Sequence, residues 1–223
     1  MAFSSLIEVP FNKEQVAIAV APSAYGGGHI GIGFHSAKAG PQVLHLAWHQ
    51  KLSTEAIPAD LKQCWVADAL PAPPLASKQI VAVVRTISAR SPSINYGINY
   101  LAAKGSFANN GAYKAPRGSD GLTCATFVVE VLRACSLNVV KVDTWQPDAA
   151  NIAWGNEVCN ALAATVGQAH ADAVRKNVNG LRLIPFEVAG AAQLGPKYWP
   201  VEYTLAQQSA PAVAGALATI CAA

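Results

Sequence analysis

Cys124 is the residue whose type and position best suit nucleophilic chemistry. It follows a polar, glycine-containing segment and opens the run CATFVVEVLRA, in which apolar residues recur at helical spacing behind Thr123, a favourable N-cap residue. At the first turn of a helix, unpaired backbone N–H groups and the positive end of the helix dipole stabilise a thiolate and a developing oxyanion. We therefore predict that Cys124 is a nucleophile, the alternative being a buried, unreactive thiol.

A thiol nucleophile needs a base, and the histidines of this chain lie on two predicted strands. Residues 29–35 (HIGIGFH) alternate between an apolar face and a face of histidines and glycines, and residues 43–49 (VLHLAWH) return with the same alternation. We predict a β-hairpin that gathers four of the five histidines on one side: His29, His35, His45 and His49. Because strand register decides which residues meet, the residues alone leave open whether His45 or His49 reaches His29.

Four histidines on one face also suit a metal site, since imidazoles on adjacent strands can supply three ligands. However, residues 29–49 contain no carboxylate, and a metal site would leave Cys124 unexplained. The segment GGGH at residues 26–29 lacks the lysine and the spacing of a phosphate-binding P-loop. We therefore predict neither a metal nor a cofactor.

The order of these motifs resembles that of the circularly permuted papain-like (NlpC/P60-related) cysteine hydrolases and acyltransferases. His29 in HIGIG, His45 in VLHLA and Cys124 in LTCATFVVEVL are similar to the histidine, the second polar residue and the helix-opening cysteine of that superfamily. The superfamily includes lecithin retinol acyltransferase-like enzymes and bacterial relatives of the peptidoglycan peptidases. Histidine before cysteine is the permuted order.

The resemblance implies that Cys124 is the nucleophile, that His29 is the general base and acid, and that His45 orients the imidazole of His29. It covers roughly residues 15–135. Thr123 stands where the family usually has Asn or Asp. Tyr96 and Tyr100 are similar in position to a tyrosine that precedes the cysteine in the unpermuted peptidases.

Composition limits the other classes of protein. The chain has 223 residues, of which 52% are apolar and 13% charged, so it can bury a sizeable core and is neither disordered nor fibrous. A net charge of +3 without a basic cluster argues against a nucleic-acid partner. Five scattered cysteines with no C-x-x-C pair argue against a disulfide framework or a structural zinc site and favour a reducing compartment.

The remaining segments indicate how the chemistry would be supported. Met1 to Pro10 has no positively charged leader pattern and no apolar stretch approaches the roughly 20 residues of a membrane span, so we expect a cytoplasmic protein without integral membrane association. Export without a signal peptide would leave no trace in the sequence.

Further predictions concern secondary structure. They are a strand at 15–21, an irregular segment at 58–74, a strand or buried segment at 80–87, a helical region at 148–177, a loop entering a strand at 181–188, and a packed terminal helix at 209–223.

Together these observations predict an α+β, permuted papain-like fold: one domain over residues 1–223, with 146–223 as a helical addition to a small antiparallel sheet packed on the Cys124 helix. The expected activity is that of a thiol hydrolase, which forms a thioester on an amide bond, for example in a cell-wall-type peptide. The alternatives are a lipid acyl hydrolase or acyltransferase, and a non-catalytic or metal-binding module. The expected partner is a peptide or acyl substrate; its identity, the acyl acceptor and the oligomeric state are left open.

Overall fold

The computed structural model describes residues 3–9, 12–36, 38–100, 105–108 and 110–222, and these form an α+β fold with a small antiparallel sheet. Two of the predicted segments extend beyond the described residues. These are the amino-terminal segment, at Met1 and Pro10, and the terminal helix, at Ala223.

The sheet has the strand order β1-β6-β2-β3-β4-β5, and every neighbouring pair is antiparallel. Its strands are β1 (Ser4–Ser5), β2 (Val16–Ala21), β3 (His29–Ser36), β4 (Gly40–Trp48), β5 (Lys51–Ala56) and β6 (Val66–Ala69). The predicted hairpin is formed by β3 and β4, with Ile32 opposite Leu44. The segment at 58–74 is less irregular than expected, because it contains β6.

Strict alternation gives the central strands two different faces. One face carries Ile30, Ile32 and Phe34 of β3, which are buried in the main core beneath helices α1 (Pro74–Arg90) and α2 (Cys124–Ala134). The other face carries small residues of β2 and a second, smaller apolar cluster around Trp65. The rings of His29 and His45 pack against Trp65 on this second face.

Helices account for most of the chain after β6; one of them settles an open alternative of the sequence analysis and another corrects it. Residues 80–87 belong to α1, where Ile80, Val84 and Ile87 form one buried stripe at helical spacing. Residues 181–188 do not enter a strand: Pro185 occupies the first turn of a helix, where its missing N–H costs nothing.

The helical region predicted at 148–177 and the predicted terminal helix are both present. The region begins after the cap residue Asp148, and Gly167, at φ +134°, separates its two helices. The helices are α3 (Ala149–Thr165), α4 (Gln168–Arg175), α5 (Pro185–Gln193) and α6 (Tyr203–Cys221). Within the described part of the chain, no helix is both long enough and apolar enough to cross a membrane.

A disulfide bond joins Cys64, in the loop before β6, to Cys221 at the end of α6. The sequence argument against disulfides is therefore wrong for this pair, because the two cysteines are 157 residues apart and no local spacing reveals them. Since disulfides persist mainly in oxidising compartments, the cysteine count no longer supports a reducing one. The remaining cysteines, Cys124, Cys135 and Cys159, are free and buried.

Candidate active site

The first turn of α2 arranges backbone N–H groups around Cys124. Thr123 caps the helix, as predicted: its Oγ1 accepts a hydrogen bond from the Thr126 N–H at 3.1 Å. In return, the Thr126 Oγ1 accepts the Thr123 N–H at 2.7 Å. This capping box uses two of the N–H groups that a helix start leaves unpaired. The N–H groups of Cys124 and Ala125 remain directed at the thiol of Cys124.

The thiol of Cys124 is buried, with 6% of the residue exposed. Burial raises the pKa of Cys124 to about 11, although backbone N–H groups of Ile30 and Ala125 and the charge of Arg182 act in the opposite direction. The thiol is therefore protonated at neutral pH, and attack on a carbonyl requires a base. Ile30, whose backbone N–H lowers the pKa of the thiol, follows His29 in β3.

His29, His45 and Glu55 form a continuous hydrogen-bonded chain. The Nε2 atom of His29 lies 2.7 Å from Nδ1 of His45, and Nε2 of His45 lies 3.3 Å from Oε1 of Glu55. The second carboxylate oxygen of Glu55 accepts the backbone N–H of Lys62 at 3.4 Å. Glu55 is 4% exposed, so its charge acts in a medium that screens it little.

The carboxylate determines where each proton in this chain lies. An ionised Glu55 only accepts hydrogen bonds, so the Nε2 of His45 carries a proton and its Nδ1 is an acceptor. The Nε2 of His29 must then donate to that acceptor. The lone pair of the neutral His29 ring is consequently on Nδ1, which is the nitrogen available to take up a proton.

Both rings are neutral at pH 7. Burial, followed by the neighbouring charge of His45, lowers the pKa of His29 to about 3, and Glu55 opposes this shift. Burial, followed by the charges of Lys62 and Lys51, lowers the pKa of His45 to about 4. A neutral imidazole with a fixed tautomer is the form that a general base requires.

The predicted cluster of four histidines does not form. A β-bulge shifts the β4–β5 register between Leu46 and Trp48, and His49 lies beyond the end of β4, where it packs on His170. His35 instead hydrogen-bonds the Ser36 carbonyl through Nδ1. The register thus brings His45, rather than His49, to His29. Among the described residues, no group of three or more potential ligands is placed to hold a metal ion.

Gly31 leaves the space in which the side chain of His45 lies against β3. A Cβ atom at position 31 would lie 3.0 Å from the Cβ of His45 and 3.0 Å from the Leu44 carbonyl oxygen. The glycines on this face therefore leave space, as the sequence pattern indicates, and the imidazole of His45 uses part of it.

Cys124, His29, His45 and Glu55 line one cleft of about 290 Å³. Aromatic rings form much of its wall: Tyr25 stacks on Trp48 with ring centres 5.9 Å apart, and Trp48 contacts Tyr96 at 4.6 Å. The cleft therefore combines a thiol, two imidazoles and an aromatic wall.

Two residues of the cleft escaped the sequence analysis. Glu55 lies on β5, where Ser53 is opposite His45, so the carboxylate is its diagonal neighbour on the same face. The alternation of Lys51, Ser53 and Glu55 is the signal that could have extended the hairpin to a third strand. Arg182 precedes α5, and no local pattern relates it to Cys124.

Comparisons with known proteins identify no relative: the chain matches no family model, no curated protein and no solved structure.

Proposed function

We propose that this protein is a thiol hydrolase of the permuted papain-like kind that cleaves an amide bond through a thioester on Cys124. The observation that carries the proposal is the shared cleft: a thiol surrounded by backbone N–H groups faces the same space as a base whose tautomer a buried carboxylate determines. The motif order HIGIG, VLHLA and LTCATF supports the same conclusion.

In the first half of the reaction, Sγ of Cys124 attacks the amide carbonyl while its proton passes to Nδ1 of His29. We expect the N–H groups of Cys124 and Ala125, which act on the thiol, to stabilise the oxyanion that forms. The C–N bond then breaks, His29 returns the proton to the leaving amine, and the acyl group remains on sulfur as a thioester.

In the second half, His29 takes a proton from water as the water oxygen bonds the thioester carbon. The C–S bond breaks, and the proton returns to the sulfur of Cys124. His45 and Glu55 do not exchange protons with the substrate; together they hold the His29 ring, and the charge of Glu55 favours its protonated form.

The size of the cleft favours a small amide over a lipid with two acyl chains. A volume of about 290 Å³ is at the lower end for ligand pockets, and aromatic rings line part of the wall. A single-chain ester remains a reasonable synthetic probe, because it acylates the same thiol without a difficult leaving group.

The test is direct detection of the thioester. The protein is mixed with 4-nitrophenyl esters and 4-nitroanilides of short acids, quenched in acid, and analysed by intact and peptide mass spectrometry. We expect an acyl adduct on Cys124 and its loss in Cys124→Ala. Cys135→Ala is the matched control, since Cys135 is a buried thiol at the end of the same helix. An adduct that persists in Cys124→Ala, or amide cleavage without Cys124, would contradict the proposal.

A further inference from the structure

Arg182 is a half-buried cation in the wall of the cleft. Its guanidinium lies flat enough over Trp154 for the central carbon to be 3.6 Å from the ring centre. Its Nη1 donates to the Asn151 side-chain oxygen at 3.4 Å. These contacts hold the guanidinium in the cleft wall, on the side contributed by the carboxyl-terminal helices.

The hydrogen-bonding capacity of this guanidinium is largely unused. An arginine has five N–H donors, yet the Nε atom of Arg182 is buried without a partner. Within the described residues, no carboxylate forms a salt bridge with Arg182. The charge of Glu187, a buried carboxylate, does act on Arg182 without such a bridge. Buried polar groups nearly always have partners, so a guanidinium with an unpartnered Nε in the wall of a cleft favours a ligand that binds there.

The surroundings favour a planar anion. Stacking on Trp154 covers one face of the guanidinium, and a planar guanidinium in a cleft wall can donate two parallel hydrogen bonds to a carboxylate. Three cations line the cleft, Lys51, Lys62 and Arg182, whereas Glu55 is the one carboxylate among its described lining residues and already binds His45. Lys51 and Lys62 are exposed, so water screens their charges more than that of half-buried Arg182.

Gly27 also contributes to this arrangement. A Cβ atom at position 27 would lie 3.0 Å from Nη2 of Arg182 and 3.3 Å from Ile184, and the residue has a φ of +70° that favours glycine. The turn before β3 therefore approaches the guanidinium closely. This links the position of Arg182 to the strand that begins with His29.

We propose that Arg182 binds a carboxylate of the substrate, so that the amide cleaved at Cys124 belongs to a small molecule or peptide with a free carboxylate near the scissile bond. The inference rests on the proposed function for the scissile bond, but the anion site itself stands on the geometry of Arg182. A carboxylate there would pair with the charge of Arg182 and accept hydrogen bonds from its N–H donors.

Protection of Cys124 from alkylation tests the site without requiring turnover. The rate of Cys124 alkylation by iodoacetamide is measured by peptide mass spectrometry in the presence of succinamate, glutaramate or adipamate, each compared with its neutral diamide. We expect at least one monoamide to protect with an inhibition constant at least about tenfold lower than that of its diamide, since a hydrogen bond to a charged group contributes this much. Equal protection by the acid and the diamide, or no protection by any acid, would overturn the proposal.

Variants assign the effect to Arg182. We expect Arg182→Gln to remove the preference for the acid, and Arg182→Lys to retain only part of it because an ammonium lacks the planar fork. Arg175→Gln is the matched control: Arg175 bonds Asn156 and Asn160 outside the cleft. A preference that survives in folded Arg182→Gln would overturn the assignment. Should both Arg182 variants fail to fold, the comparison of acid with diamide on the unaltered protein still decides whether the cleft prefers a carboxylate.

Two further arms define the anion and separate this proposal from the function. Inorganic phosphate should protect less well than the best monoamide; equal protection would contradict a carboxylate site. Glutaryl 4-nitroanilide should be cleaved with a kcat/KM at least tenfold above that of its methyl ester. If the acids protect Cys124 but no thioester forms on any substrate, the hydrolase proposal fails while the anion site stands. If thioesters form but the acids show no advantage over their neutral analogues, the anion-site proposal fails while the hydrolase proposal stands.

Discussion

The protein contains two pairs of touching histidines, and they differ in what lies at their ends. His29 and His45 are joined by a hydrogen bond that continues to a buried carboxylate, Glu55. His49 and His170 meet ring to ring, with centres 4.2 Å apart, and both contact the backbone of Tyr96. In the first pair, the charge of Glu55 acts on His29 at the cleft. The second pair connects α4 to the loop that precedes α2.

The second pair holds the backbone of Tyr96 through two hydrogen bonds. His49 Nδ1 accepts the Tyr96 N–H at 3.3 Å, and His170 Nε2 donates to the Tyr96 carbonyl at 2.8 Å. The side chain of Tyr96 lines the cleft beside Cys124. Residue type therefore does not distinguish the two pairs; they differ in the carboxylate bound to His45 and in burial.

The largest difference between the pairs should be in catalysis. We expect His29→Ala to lower kcat for a 4-nitrophenyl ester about 1,000-fold, because a general base contributes roughly 10²–10⁴-fold. His49→Ala should lower it by no more than about threefold. Stopped-flow release of nitrophenolate measures both, with circular dichroism to verify folding. Comparable losses in the two variants would remove the distinction between base and scaffold.

The next largest effect should come from Glu55, which has no counterpart in the second pair. Glu55→Gln removes the charge that fixes both tautomers, and we expect kcat to fall on the order of 100-fold with KM little changed. Since Glu55 opposes the lowering of the His29 pKa, its loss should also move the acid limb of the pH profile to lower pH.

A suitable control for Glu55 is Glu14→Gln, since Glu14 pairs with Lys78 on the surface. It should leave both kcat and the pH profile unchanged. A Glu55→Gln variant with an unshifted profile and normal kcat would show that the carboxylate has only a structural role.

The pH dependence of stability should separate the pairs more modestly. The folded-state pKa values of His29 and His45 are lowered to about 3 and 4, so the unfolded chain takes up protons below pH 6.5 while the folded protein does not. Their contribution to the free energy of unfolding is therefore complete above pH 6.5 and is lost as the pH falls towards 4, by about 1.4 kcal/mol per pH unit for each histidine.

Urea denaturation between pH 7 and pH 4.5 measures this slope. His29→Gln should reduce it by about one histidine's share. His49→Gln should change it less, because burial, followed by His170, lowers the pKa of a more exposed ring. Equal slopes for the unaltered protein and His29→Gln would mean that the ring is not held neutral.

The smallest expected effect comes from removing the hydrogen bond between His170 and the Tyr96 backbone. His170→Ala removes the hydrogen bond to the Tyr96 carbonyl, and we expect a destabilisation of about 1 kcal/mol by thermal or urea unfolding. The pH profile of activity should not move. A profile that shifts with this variant would show that the second pair also takes part in the titration of the site.

Local sequence patterns predicted the elements whose formation depends on neighbours along the chain. The alternation of residues 29–35 and 43–49 predicted β3 and β4, and Thr123 with the apolar period behind it predicted the start of α2. Apolar runs without a clear period were ambiguous or wrong. Residues 80–87 are helical, and the first turn of α5 begins at Pro185 where a strand was expected.

The residue types and the order of the motifs by themselves determined the candidate nucleophile, Cys124, and the strands that carry its candidate base. Only the tertiary structure decided that His45 rather than His49 meets His29, that Glu55 completes the chain, and that Arg182 and the disulfide partner Cys221 join from the distant helical segment. The physical reason is range: alternation and capping arise from neighbours along the chain, whereas a bulge, a third strand and a packed helix depend on the whole core.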